Sequence, residues 1–116
     1  MNTKYSEVTG MYQGTTPTID LTFKGVDLSE AKIYLTLKDS RGNELTFTSG
    51  DDFTVEYDGH DTAGTVRLTQ EQTLALAPGN CDAQARFIFA DGTSGATMKA
   101  GVFVNPVILK DVIAYG

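Results

Sequence analysis

Tryptophan is absent from the 116 residues, and cysteine and histidine occur once each, as Cys81 and His60. One thiol forms no intrachain disulfide, and one Cys with one His leaves a zinc site short of the three or four ligands it takes. A lone imidazole in a loop of Gly and Asp also leaves serine-hydrolase chemistry without a positioned base. Basic residues are scarce: nine Lys and Arg stand against fifteen Asp and Glu, for a net charge of −6. That field repels phosphate backbones and anionic lipid surfaces. The cations are scattered from Lys4 to Lys110 with no run, so no local basic patch and no nucleic-acid partner are expected. No apolar run reaches transmembrane length, and the opening MNTKYSEVTGMY lacks the apolar stretch of a signal peptide. Synthesis in the cytoplasm without membrane insertion is the expectation.

What the chain has in quantity is strict alternation of apolar and polar residues, the mark of half-buried strands. Ile19, Leu21 and Phe23 alternate with Asp20, Thr22 and Lys24; Ile33, Leu35 and Leu37 with Tyr34, Thr36 and Lys38; Leu45 and Phe47 with Glu44, Thr46 and Thr48. These three read as a meander. Phe53, Val55 and Tyr57 continue the pattern, His60-Asp61-Thr62-Ala63-Gly64 reads as a loop, and Val66 and Leu68 open a further strand. Thr69 with Gln72 three residues on has the form of a capping box, predicting a helical turn near residues 70–76 before Pro78-Gly79. Cys81, Ala83, Ala85, Phe87 and Phe89 then share one face, opposite Asp82, Gln84, Arg86 and Ile88. Phe87 is predicted to be core, and Cys81 a buried, unreactive thiol. After the Asp91-Gly92-Thr93-Ser94-Gly95 turn, Met98, Ala100, Val102 and Val104 alternate with Thr97, Lys99, Gly101 and Phe103 as a hairpin partner, and Val107 to Ile113 is predicted to add an edge strand. Turn signals every 8–12 residues favour an all-β sandwich. The expectation is a single antiparallel β-sandwich domain over 1–116, with 1–12 a mobile lead-in or an edge strand.

No catalytic, metal or cofactor site is legible. Asp51, Asp52, Glu56, Asp58 and Asp61 cluster loosely, yet Asp51-Asp52-Phe53 does not follow a calcium-loop pattern, and a solvated face is the simpler reading. Glu44, Glu56, Asp58 and Asp61 are the right residue type for paired-acid glycoside hydrolysis, without a spacing that selects any pair. Sugar stacking without tryptophan falls to Tyr5, Tyr12, Tyr34, Tyr57 and Tyr115. Gly92 and Gly95 lie between strands, so they form a turn and not a phosphate loop.

Three segments carry a resemblance: YQGTTPTIDLTFKGVDLSEAKIYLTLKDSRGN, VRLTQEQTLALAPGNCDAQARFIFADGTSGAT and VFVNPVILKDVI. Their order, with Gln13-Gly14, the Leu68-Thr69-Gln70-Glu71-Gln72-Thr73 turn, Pro78-Gly79, and Gln84 and Arg86 before Asp91-Gly92, resembles the N-terminal domain of the phage baseplate upper protein family of Gram-positive hosts and their prophages. The resemblance implies an immunoglobulin-like sandwich and an architectural role, docking to other tail or baseplate proteins in the virion. Larger members of that family continue into a helical linker and a receptor-binding region, so a chain ending at Gly116 is expected to be either a stand-alone tail or baseplate component or a prophage protein of the same fold. The alternative is a small binding module for cell-surface glycan.

Tyr34, Ile88 and Phe103 each break the polar phase of a strand whose other phase supplies the core. Exposed apolar residues gathered on one sheet mark protein contacts. The three form the candidate interaction surface, for homo-oligomer formation or tail docking.

Overall fold

The computed structural model describes residues 10–97 and 99–116. Two β-sheets pack face to face in an all-β sandwich. The strands are β1 (Gly10–Tyr12), β2 (Thr18–Phe23), β3 (Lys32–Lys38), β4 (Glu44–Thr48), β5 (Val55–Tyr57), β6 (Thr62–Arg67), β7 (Gly79–Ile88), β8 (Ser94–Ala96) and β9 (Ala100–Asn105). The large sheet runs β1-β9-β7-β3-β4, with β8 beside the second half of β7; the small sheet runs β2-β6-β5. One apolar core lies between them. Ile19, Leu21, Phe23 and Val66 meet Ile33, Leu35, Leu37, Phe47, Cys81, Ala83, Ala85, Val102 and Val104 there, the apolar phase of each strand turned inward.

The helical turn forms where the capping box places it, as α1 (Gln70–Ala75): the Thr69 side chain accepts from Gln72 N and the Gln72 side chain accepts from Thr69 N. It carries the chain from β6 in the small sheet to β7 in the large one.

Four expectations need correction. The first three strands are not a meander, because β2 pairs with β6 across Thr18↔Arg67 to Phe23↔Thr62, and only β3 and β4 form a hairpin. Thr62, Ala63 and Gly64 belong to β6, so the loop shrinks to residues 58–61. Thr62 is fully buried and polar: its hydroxyl donates to Val26 O at 2.7 Å and accepts from Leu28 N at 2.8 Å, tying the β2–β3 crossover to the small sheet. Phe87 is partly buried at the margin of the core, its ring lying over Gly95, where a Cβ would come within 2.5 Å of Phe87 Cζ. Val107 to Ile113 forms no strand. Lys38, at the end of β3, leads into a turn closed by buried Asp39, whose carboxylate accepts from Arg41 N, Asn43 N, Asn43 Nδ2 and, across the molecule, Ala77 N at 2.8 Å.

The edge expected within 1–12 is partly visible. β1 is an edge strand that runs parallel to β9, whereas the other pairings between described strands are antiparallel; residues 1–9, with Lys4 and Tyr5, and Met98 lie outside the described residues.

Candidate interaction surfaces

Three of the acidic loop residues are occupied in turns. Asp52 Oδ2 accepts from Thr48 N at 2.7 Å, and Asp58 Oδ1 accepts from both His60 N and Asp61 N. Asp61 Oδ1 takes the N–H of Gly25 at 2.8 Å and faces His60 Nδ1 at 2.7 Å. Those N–H bonds hold both carboxyls below the usual range, with the backbone of Asp61 first for Asp58 and that of Gly25 first for Asp61. His60 itself is 81% exposed at this hairpin tip. Among the described residues no three His, Cys, Asp or Glu side chains converge on a metal position. Cys81 is fully buried; burial first, then the charges of Asp39 and Asp82, pushes its thiol up to about 11.

Tyr34, Ile88 and Phe103 all lie on the outward face of the large sheet, in two places. Tyr34 is opposite Arg86, Ile88 is the next outward residue along β7, and the two line one groove of about 410 Å³ with Thr36, Thr46 and Ser94. Phe103 is opposite Asn80 at the other end of β7, roughly 26 Å from Ile88 at about 3.3 Å per residue. Its partner on β1 is Gly10, and the next outward residue of β1 is Tyr12, opposite Asn105 and 56% exposed.

Strand pairing also gathers what looked scattered. Lys32, Lys38 and Arg86 point outward from β3 and β7, and Lys99, just before β9, lines the same face beside Gln84. The carboxylates on this face are Glu44 and Asp82, both in the row of Lys38, and Asp39, which lines the groove at the end of β3. The rows of Lys32, Arg86 and Lys99 carry none. The expectation of no local basic patch is therefore corrected: the sequence distances between these cations are large, and the β3–β7–β9 register closes them. Had the polar phases of the two strands been aligned as neighbours, the patch would have been legible.

The segment after β9 was missed as a surface. It crosses the α1 end of the sandwich, where Lys110 Nζ donates to Gln13 Oε1 at 2.7 Å and the Gln70 amide bonds both N (2.7 Å) and O (3.0 Å) of Ile113. Gln13 is buried and anchored in turn to Leu76 O. Polar groups fix the path, and Ile108 (101%), Leu109 (58%), Val112 (59%), Ile113 (57%) and Tyr115 (103%) stay exposed. Compared with known proteins, the chain matches no protein-family model and no curated protein.

Proposed function

We propose that the chain is a non-enzymatic interaction domain that docks to a neighbouring protein through the segment following β9. The observation that carries this reading is the exposure of Ile108, Leu109, Val112, Ile113 and Tyr115 on a path already fixed by Gln13 and Gln70. An apolar stretch left uncovered is a contact surface, and burying each such side chain contributes about 1.5–3 kcal/mol. Because the backbone is held beforehand, less ordering entropy opposes docking. The sequence resemblance supplies the assembly: a phage or prophage tail or baseplate, with other tail proteins, or further copies of the chain, as partners.

Antibody detection in density-banded particles from the source strain tests this. The wild-type chain should band with tailed particles, and an Ile108→Ser, Leu109→Ser, Ile113→Ser variant with unchanged circular dichroism should not. A wild-type chain that never bands with particles overturns the tail assignment; a variant that bands like wild type removes the segment's role. Ester, glycoside or phosphoester turnover that tracks the pure protein and disappears in His60→Ala would overturn the non-enzymatic part.

A further inference from the structure

We propose that the outward face of the large sheet binds an acidic polysaccharide along the line Lys32, Arg86, Lys99, with Tyr34 as its stacking surface. The site is separate from the docking segment, and either can fail alone.

Charge segregation is the first ground. A chain of net charge −6 places four cations on this face against three carboxylates, Glu44 and Asp82 beside Lys38 and Asp39 at the end of the Lys99 groove. Lys32, Arg86 and Lys99 are exposed and make no ion pair with another described residue; the ion pair among the described residues is His60–Asp61. Carboxylates beyond the small sheet are more than a sheet spacing of about 10 Å away, past the screening length of about 8 Å in physiological salt. The positive field on the face is therefore strongest along the Lys32 and Arg86 rows.

The lining selects among anionic partners. Protein interfaces are apolar at their centre and depleted in Lys, whereas this face has hydroxyls, an amide and three exposed cations, with Tyr34 and Ile88 at one end only. Single-stranded nucleic acid wants successive aromatic platforms, and this stretch has one Tyr. A sugar chain fits better. Thr36 and Thr46, hydroxyls 3.0 Å apart, together with Gln84 can exchange hydrogen bonds with sugar hydroxyls, and the Arg86 guanidinium can take a carboxylate or sulfate with two parallel bonds. The groove holding Tyr34 and a second of about 560 Å³ holding Lys99 share Thr36, making one track along the strands.

Amide-resolved NMR titration of the full chain tests this, with a galacturonate hexamer as the carboxylate probe and a heparin-derived hexamer as the sulfate probe. At least one should give saturable shifts centred on Tyr34, Arg86 and Gln84 that weaken with added salt, and the tighter of the two names the anion. Arg86→Gln should weaken binding about tenfold, as loss of a charge-assisted hydrogen bond does. Lys99→Gln should weaken it less, and Arg67→Gln, on the small sheet, not at all. The proposal is overturned if neither acidic hexamer shifts these signals, or if a hexaglutamate peptide or a six-nucleotide thymidine strand binds as tightly. Equal weakening by Arg67→Gln and Arg86→Gln would also overturn it.

Discussion

The two outward faces of the sandwich are built on the same alternation and carry opposite charge. On the small sheet Asp20 and Glu56 outnumber Arg67, among Thr18, Thr22, Ala63 and Thr65; on the large sheet Lys32, Lys38, Arg86 and Lys99 outnumber Glu44, Asp82 and Asp39. Inward, the sheets are alike, because both contribute fully buried aliphatic residues to one core. The inner phase is dictated by burial, and the outer phase is left free to carry a field.

The sharpest check of that division is the inner phase itself. Leu35→Ala in the large sheet and Leu21→Ala in the small one, both buried, should each cost about 2–5 kcal/mol in urea unfolding. Phe87→Ala, at the core margin, should cost less than Leu35→Ala; equal cost would return Phe87 to the core. Glycines distinguish the sheets next. At Gly64 a Cβ would meet Thr54 O at 2.6 Å, so Gly64→Ala should cost about 1–3 kcal/mol. Gly101 on the large sheet has nothing within 4 Å, and Gly101→Ala should gain about 0.5–1 kcal/mol. A loss at Gly101 would mean that its face is already covered.

Acid should separate the turns at the two sheets. Burial works to raise the Asp39 carboxyl, and the N–H of Ala77 with the bonds from Asn43 and Arg41 outweighs it, so the group titrates below 3.8. A carboxyl lowered on folding stabilises in full above its unfolded value, and the contribution is lost as pH falls through the lower folded value. Asp39→Asn, which turns an amide toward N–H donors, should cost about 1–3 kcal/mol at pH 7. The gap to wild type should close below pH 4 in urea midpoints, and Asp58→Asn at the exposed small-sheet hairpin should show a smaller version. Smallest of all, Arg86→Gln and Glu56→Gln on the outer faces should leave stability within about 0.5 kcal/mol.

Alternation made β2, β3, β4 and β7 legible, and the Thr69–Gln72 pair located α1, because both signals are local. Partner choice was not legible: β2 could face either β3 or β6, since period-two strands match any neighbour of like pattern. Thr62–Gly64 passed for a loop because its inward positions are a hydroxyl and a glycine, the first satisfied by Val26 and Leu28, the second required by Thr54. Val107 to Ile113 had a strand's composition, but side chains of Gln13 and Gln70 decide its course. The cation face depended on register, which lies beyond any single strand.

The parallel pairing of β1 with β9 has a mechanical consequence. Tension applied along the chain before Gly10 and after Asn105 pulls these strands past each other in shear. Their contacts from Gly10↔Phe103 to Tyr12↔Asn105, with the 2.9 Å bond from Gln13 N to Asn105 O, are strained together. The β3–β4 hairpin, pulled at its ends, would instead unzip pair by pair. Forced opening is governed by the unfolding rate, so a lap joint at the sheet edge slows failure under load.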